Sequence, residues 1–554
     1  MKRSRKRTRP PILTSIIAFN NRTKGLLLII GLAVPFLFLI WSFVSAEDRA
    51  INDNIFVIDD SWIHMEFAKN LIEGNGFSFN PHEPIAASTA PLYTLFVALL
   101  YFLLPNHLIL AIQVVTVLLT ISTIGLTYKI THQLINHRVF SALTALAVSS
   151  NPWMAWSALS GMEISLGMFL LTFAVWTYIT LGDRNDWKRL VPAFLFALLT
   201  LIRPESYSIL GVYLSFEVIR IAYMLYKKQI TLGYGVKKFT LLTTTILVVI
   251  VPYGLFSLIT GGSFFPNTYS AKVGSLGISG MFKTSPNLST LLDFVFTMSK
   301  NYFHDYFSAL FSINSWIRWS YVPMFGIYLY EAYKSKKITI MLLPAIGLIF
   351  PLLVGIMVPT DRISWPWNRH MLYLVPLLIL TSFIPTFLLS YRLKTIPMVQ
   401  AILVAVMMSF TILPLRIRIP EVQKFFVERT QSMNRNHIAL VNWVRDNIPS
   451  DAVIASSDIG VIGFYTDNYI VDTEGLINPR ISGFTHRRNS PEKDAEVLAY
   501  LTEKKPDYLV KFSWVYPTFQ NERFPLIRNF DTFGIYATPW TRYSTQEPTG
   551  DEIR

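Results

Sequence analysis

The chain of 554 residues is 52% hydrophobic and only 15% charged. An ordinary soluble protein has about a quarter of its residues charged, so this class is excluded. The composition predicts a polytopic α-helical membrane protein. Its net charge of +14 lies in the N-terminal tail and in short loops between apolar runs, a distribution typical of positive-inside topology and not of nucleic-acid binding. Because the chain has no cysteine, disulfides and thiol chemistry are excluded, and acidic residues must carry any catalysis.

About eleven apolar runs are predicted to cross the membrane, since a span takes about 20 apolar residues. A basic tail, residues 1–24, precedes the first run, which we interpret as a signal anchor with its N-terminus in the cytoplasm. The other basic loops fall on alternate connections, as cytoplasmic loops of a cell-membrane protein should. The predicted spans are residues 25–46, 108–128, 139–152, 162–181, 189–203, 205–224, 238–260, 316–333, 338–358, 370–390 and 396–414.

Two long outer loops are predicted, residues 47–107 and 261–315. Segment 88–104 of the first loop is apolar enough to span, but counting it would place the basic residues Lys129 and Arg138 outside, so we predict a juxtamembrane helix there. A count of twelve or thirteen spans therefore stays open. In the second loop, residues 301–307 are predicted to lie on the membrane surface.

The first outer loop contains two adjacent acids, Asp59 and Asp60, soon after the first span. Apolar spacing from Ile63 to Leu71 predicts a helix that starts at these acids, stops at Gly74 and lies along the membrane surface. One carboxylate there would serve as the general base for a sugar hydroxyl, while its neighbour holds a divalent cation or shapes the acceptor pocket. The alternative is a pair of acids that caps the helix.

Three further residues are candidates for substrate binding. His64 lies one helical turn after Asp60, although a histidine in such a helix is more often a packing residue. Glu163 opens the span 162–181, where an acid also complements a helix N-terminus. Arg203 breaks two apolar runs at the outer face and suits bidentate phosphate binding; the alternatives are a snorkelling turn residue or an ion pair with Glu163 or Glu205.

Two loops that combine aromatic residues with cations precede or follow spans. Residues 262–272 contain Asn267 and Lys272, and residues 361–370 end in Arg369 and His370. Aromatic rings stack on sugars and cations meet phosphates, so these loops are candidate donor-binding elements. Interfacial anchoring by the aromatic residues, and helix-end cations, are the alternatives.

The sequence changes to a soluble pattern after the last span. Helical spacing runs over residues 436–447, and strands are predicted at 452–455, 469–471 and 506–510. We therefore predict a transmembrane catalytic domain over residues 25–414 and an extracytoplasmic α/β domain over residues 415–554.

Short motifs at these positions resemble, in chain order, those of GT-C superfamily glycosyltransferases, in the bacterial branch that contains the terminal arabinofuranosyltransferases of mycobacterial cell walls. The resemblance covers most of residues 25–480. The motifs are Asp59-Asp60, Ala68-Lys69-Asn70-Leu71, Gly74-Asn75-Gly76, Gly161-Met162-Glu163, Arg203-Pro204-Glu205, Pro266-Asn267-Thr268-Tyr269, Ala271-Lys272, Ser457-Asp458-Ile459-Gly460 and Val471-Asp472-Thr473-Glu474-Gly475-Leu476.

This resemblance implies an enzyme that moves a sugar from a polyprenyl-phosphate donor to a cell-envelope glycan, lipid or protein, with arabinofuranosyl transfer as its narrowest form. It assigns the base to Asp59 or Asp60, with Asp59 favoured, and the second-loop acid to Glu163. Arg203, Lys272 and Arg369 would help the lipid phosphate to leave. The implied partners are the donor, the acceptor and membrane lipids, with no certain cofactor.

Two other classes of membrane protein stay open. A lipid or glycan flippase would also have many spans, but it would place ionisable groups near mid-bilayer and often show repeated halves. A non-catalytic envelope-assembly protein would not need paired acids at the membrane face.

Overall fold

The computed structural model describes residues 11–51, 55–182, 184, 186–273, 287–293, 295–297, 300, 314–335, 338–357, 369–393, 396–482, 491–513 and 523–543. Residues 301–307, predicted to lie on the membrane surface, and residues 361–368 fall outside these ranges. The helices that precede the C-terminal sheet are α1 (Pro11–Ile51), α2 (Asp59–Ile72), α3 (Pro91–Leu103), α4 (Leu108–Ile135), α5 (Arg138–Ser149), α6 (Pro152–Leu159), α7 (Ile164–Leu181), α8 (Leu190–Thr200), α9 (Ser206–Tyr226), α10 (Leu232–Gly261), α11 (Asn267–Val273), α12 (Ser315–Ser335), α13 (Leu342–Met357), α14 (Arg369–Leu372), α15 (Val375–Arg392), α16 (Pro397–Ile412), α17 (Leu415–Met433) and α18 (Ala439–Asn447).

The helical part of the chain is built to lie in a membrane. Seven of the described helical segments are long and apolar enough to span it, and many of their large apolar side chains are exposed. These segments are Leu27–Ile51, Pro105–Ile135, Ile164–Leu181, Ser206–Tyr226, Leu232–Gly261, Val375–Arg392 and Pro397–Asn447. Helix α5 is shorter than a span, as is α3 in the segment that we predicted to be juxtamembrane. The scheme of eleven spans stays a prediction.

Helix α2 differs from its predicted setting. Its N-cap is Ile58, so Asp59 and Asp60 occupy the first helical turn and do not cap it. The helix ends at Ile72, and Gly74 follows with a φ of +86°, a left-handed conformation suited to glycine. Every residue from 61 to 68 is buried. The helix is therefore enclosed by protein on all sides, because α3 and a helix of the C-terminal domain pack against it.

The C-terminal domain contains a five-stranded sheet. Its further elements are β1 (Val453–Ser456), α19 (Gly460–Tyr465), β2 (Tyr469–Asp472), α20 (Pro479–Ser482), α21 (Pro491–Lys504), β3 (Tyr508–Phe512), β4 (Leu526–Phe530) and β5 (Phe533–Ala537). The strand order is β2-β1-β3-β5-β4, with β1 parallel to β2 and β3, and with β5 antiparallel to β3 and β4. The three predicted strands are confirmed, whereas β4 and β5 were not predicted.

A continuous helical run, Pro397–Asn447, joins the membrane part to the sheet. It comprises α16, α17, one π-helical turn over Asn434–Ile438 and α18. Helix α17 packs on α1, where the rings of Phe43 and Phe426 lie 5.6 Å apart and the Gln423 side chain donates a 2.7 Å hydrogen bond to the Ser42 carbonyl. The domain boundary proposed at residue 415 thus lies inside a helical run that is packed against the first span.

Candidate active site

The first turn of α2 contacts the start of α19, although Asp59 and Gly460 are 401 residues apart in the sequence. One carboxylate oxygen of Asp59 accepts a 2.8 Å hydrogen bond from the Gly460 N–H, and the other accepts a 2.8 Å hydrogen bond from the Val461 N–H. A Cβ at Gly460 would overlap the Asp59 carbonyl oxygen and lie 2.8 Å from its carboxylate carbon. Asp59 therefore binds two amides at a helix start in the C-terminal domain, where the helix itself supplies no acceptor, and glycine is required for this approach.

A second acid and a histidine complete this contact. The His437 Nε2 lies 3.1 Å from the Asp458 carboxylate. Burial, together with the charge of Asp458, raises the pKa of Asp59 to about 7, against the opposing effects of His437 and the two amide hydrogen bonds. Burial alone would lower the pKa of His437, but its hydrogen bond to Asp458 and the nearby Asp59 charge raise it overall. Protons thus bind more readily here than to the isolated side chains.

His64 lies in a buried polar network on the opposite side of α2's first turns. Its Nδ1 is 3.1 Å from the Ser88 hydroxyl and 3.3 Å from the Thr94 hydroxyl. Its Nε2 is 3.8 Å from a carboxylate oxygen of Glu163. Both His64 and Glu163 are almost fully buried. The histidine is therefore oriented by the two hydroxyls at Nδ1, with its Nε2 facing an acid.

Arg203 extends this network into a buried ionic cluster. Its guanidinium pairs with Glu163 and lies 3.4 Å from Glu205. Arg203 occupies the corner between α8 and α9, and Glu163 precedes α7, so both side chains project from helix ends. Of the alternatives for Arg203, the structure contains the ion pair. The arginine charge is therefore neutralised by glutamate side chains of the protein.

The chain conformation before Glu163 has a steric cause. Gly161 has a φ of +74°, and a Cβ there would overlap the ring of Phe56. Its carbonyl accepts a 2.6 Å hydrogen bond from the buried Tyr93 hydroxyl, and the Ser160 carbonyl accepts one of 3.0 Å from Ser61. Glycine and these two hydroxyls hold the turn that presents Glu163 to His64.

Asn267 ties three parts of the chain together. Its backbone N–H donates to the Ala86 carbonyl at 2.8 Å, and its side-chain amide donates to the carbonyls of Gly475 and Leu476 at 2.9 and 3.0 Å. The adjacent Thr268 hydroxyl donates to the Ala87 carbonyl. Asn267 therefore links both outer loops to the C-terminal domain.

The remaining predicted site residues divide into two groups. Asp60 lies in the first turn of α2 beside Asp59 and is partly buried. Lys272, Arg369 and His370 have side chains outside the described part of the structure. Across the residues that are described, no group of three or more His, Asp or Glu side chains is arranged to hold a metal ion. The divalent cation predicted at Asp59 and Asp60 stays a prediction, since a Mg²⁺ ion can be held by one or two carboxylates together with water and substrate phosphates.

Neither His437 nor Glu66 was predicted from the sequence as a residue of the site. Glu66 is buried, accepts a 2.9 Å hydrogen bond from Asn70 and has its pKa raised by burial to about 8. The apolar pattern of α2 predicts one buried face and places Glu66 on the opposite, solvent-facing side. Its burial becomes evident only once α19 is known to pack there as well.

The fold is similar to that of a protein of known structure, ArnT from Cupriavidus metallidurans. The crystal structure of ArnT bound to undecaprenyl phosphate matches with a TM-score of 0.50 at 10% identity, over 90% of this chain and 97% of that chain. The apo form matches with a TM-score of 0.49 at 11% identity, over 95% and 100%. A family described as a domain of unknown function (DUF8728) matches residues 424–548. No curated protein sequence matches the chain.

Proposed function

We propose that this chain is a membrane glycosyltransferase that transfers a sugar from a polyprenyl-phosphate donor to an acceptor hydroxyl. The observation that carries the proposal is the buried ionic cluster of His64, Glu163, Arg203 and Glu205 at helix ends, within an ArnT-like fold. Burying charges costs several kcal/mol unless they are paired, and in membrane proteins such groups mark functional sites. The ArnT crystal structure contains undecaprenyl phosphate, which supports a donor of the same class here.

The two acids of α2 have different roles in this proposal. Successive residues of a helix point about 100° apart, so Asp59 and Asp60 face different neighbours. Both oxygens of Asp59 accept amide hydrogen bonds from the C-terminal domain. Asp59 accordingly anchors that domain, and Asp60 is the general base. This assignment reverses the preference for Asp59 that the family resemblance alone suggested.

The reaction is a single displacement at the anomeric carbon. The acceptor oxygen forms a bond to that carbon as the bond from the carbon to the phosphate oxygen breaks, and the hydroxyl proton passes to Asp60. The leaving lipid phosphate carries the negative charge. Lys272 in α11 and Arg369 at the start of α14 are the candidate cations for that charge, and His370 follows Arg369 in the sequence. One displacement inverts the anomeric configuration.

The ionic cluster positions groups around the donor. Arg203 pairs with both Glu163 and Glu205, and its contact with Glu163 fixes that carboxylate beside His64. A carboxylate and an imidazole held in this way can accept and donate hydrogen bonds to sugar hydroxyls. Transfer to a cell-envelope acceptor on the outer face, and arabinofuranose as the sugar, are the finer forms of the proposal.

The test uses the purified full chain in lipid nanodiscs with a fluorescent polyprenyl-phosphate sugar. Wild-type protein should release the sugar to an acceptor or, slowly, to water. Asp60→Asn should abolish release without altering thermal stability, whereas Asp59→Asn should mainly loosen the C-terminal domain. Asp48→Asn, an exposed acid near the end of α1, is the matched control. Full activity of Asp60→Asn would contradict its role as base.

The same preparation separates an enzyme from a flippase. In vesicles, a flippase would move the labelled lipid between leaflets and leave its sugar–phosphate bond intact. Lipid movement without any sugar release, over hours and with several donor sugars, would refute the glycosyltransferase proposal.

A further inference from the structure

A cleft of about 280 Å³ lies between the first outer loop and the C-terminal domain. One wall is the segment from Phe79 to Ile85, and the other is built from β2, the loop after it and one face of α21. The volume is near the lower end of the roughly 300–1,000 Å³ range of small-molecule pockets. The cleft suits one or two small rings better than an extended chain.

The walls of the cleft are fixed to each other before any ligand binds. The Asn80 side chain donates to the Ile470 carbonyl at 2.9 Å and accepts from the Ile470 N–H at 3.0 Å, so it pairs with the edge strand β2 as another strand would. The Tyr469 hydroxyl donates to the Glu83 carboxylate at 2.8 Å. Asp472 holds the loop after β2 by accepting three backbone N–H groups, the shortest at 2.7 Å. The cleft is therefore preformed.

The lining combines aromatic rings with hydrogen-bonding groups and little positive charge. Tyr469 and Tyr500 contribute rings and Glu83 contributes a carboxylate. Lys504 is the single cation among the lining residues that the structure describes. Only 8% of Asn478 is exposed, and its side-chain nitrogen makes no hydrogen bond within the described part of the chain. A phosphate or nucleotide would need more cations. Rings with carboxylate and amide partners suit a hydroxyl-rich, uncharged ligand.

We propose that this cleft binds a sugar ring of a neutral acceptor glycan, a role that rests on the glycosyltransferase function proposed above. The cleft lies close to the ionic cluster along the chain. Glu83 is five residues before Ser88, whose hydroxyl contacts His64, and five residues span at most about 18 Å. A hydroxyl on a further ring of an oligosaccharide held in the cleft is therefore within reach of the ionic cluster.

Binding is measured with the full chain in nanodiscs and a panel of neutral oligosaccharides, by saturation-transfer NMR and titration. Tyr500→Ala should weaken binding about tenfold, whereas Tyr500→Phe keeps the ring and should bind nearly as wild type. Glu83→Gln keeps an acceptor for Tyr469 and should weaken binding less than Tyr500→Ala. Tyr226→Ala, which removes a 79% exposed ring on α9, is the matched control.

Three results would overturn the proposal: no neutral saccharide bound at millimolar concentration, binding only of charged sugars, or equal binding by wild type and Tyr500→Ala. Failure here is distinguishable from failure of the proposed function, because release of the donor sugar to water needs no acceptor. A wild-type protein that hydrolyses donor but binds no saccharide would refute the cleft alone.

Discussion

The contact between Asp59 and the start of α19 can be broken by a single methyl group. Gly460→Ala would place a Cβ over the Asp59 carbonyl oxygen and 2.8 Å from both its carboxylate carbon and one carboxylate oxygen. Because the closest atom is the backbone carbonyl oxygen of Asp59, the clash cannot be relieved by rotating one flexible side chain. We expect α2 and α19 to separate at this point.

The magnitude follows from the hydrogen bonds that would be lost. Both bonds from Gly460 and Val461 involve the Asp59 carboxylate and measure 2.8 Å. Above about pH 8, where Asp59 is ionised, each hydrogen bond to its charged carboxylate contributes roughly 1.5–3 kcal/mol. Losing both should destabilise the docking of the C-terminal domain by about 3 kcal/mol or more, which corresponds to roughly a hundredfold increase in its opening.

Hydrogen exchange measured by mass spectrometry checks this value, on peptides that cover residues 59–67 and 459–466. Gly211→Ala is the control, because no atom lies within 4 Å of the added methyl group and alanine favours a helix. If Gly460→Ala exchanged at the wild-type rate in both peptides, the proposed anchoring role of Asp59 would be wrong.

Three further predictions concern neighbouring contacts. Folding raises the pKa of Asp59 from 3.8 to about 7, so the folded protein binds this proton more tightly than the unfolded chain. The thermal midpoint should therefore rise as pH falls from about 8 to about 5. Asp59→Asn should flatten that dependence, and an unchanged slope would contradict the assignment. Arg203→Met leaves two buried carboxylates and should cost about 3–5 kcal/mol in unfolding free energy, with Arg203→Lys costing less; equal midpoints for both variants would contradict the ion pairing. Asn267→Ala removes two hydrogen bonds to the loop at Gly475 and Leu476 and should speed hydrogen exchange in that loop about tenfold or more. The control Asn75→Ala, in the first outer loop, should not change exchange there.

Local patterns in the sequence were sufficient for several elements. Acids beside apolar runs stand out because charge is costly there, which is why Asp59, Glu163 and Arg203 could be singled out without a structure. Strand β1 was visible as a short apolar run next to turn residues. Strand β4 was not visible, because it is only partly buried and mixes Arg528 with apolar residues, so its alternation is weak. Strand β5 is fully buried and was not predicted either.

Long-range pairings could not be read from the sequence. Helix α2 shows an apolar face that fits a surface helix, and nothing local indicates that α19 covers its other side. The two partners of Asp59 lie 401 and 402 residues away. The roles of its two acids therefore depend on the three-dimensional fold, as does the pairing of Arg203 with Glu163.

The sequence separation between Asp59 and its partners also sets a timescale for biosynthesis. Ribosomes add about 5–20 residues per second, so α2 is made roughly 20–80 seconds before residues 460 and 461. During that interval Trp62 and its neighbours lack the aromatic partners Phe464 and Tyr465. For tens of seconds the nascent chain therefore exposes apolar surface that is buried in the folded protein. Slowed elongation before residue 460 lengthens this exposure and should lower the yield of folded protein.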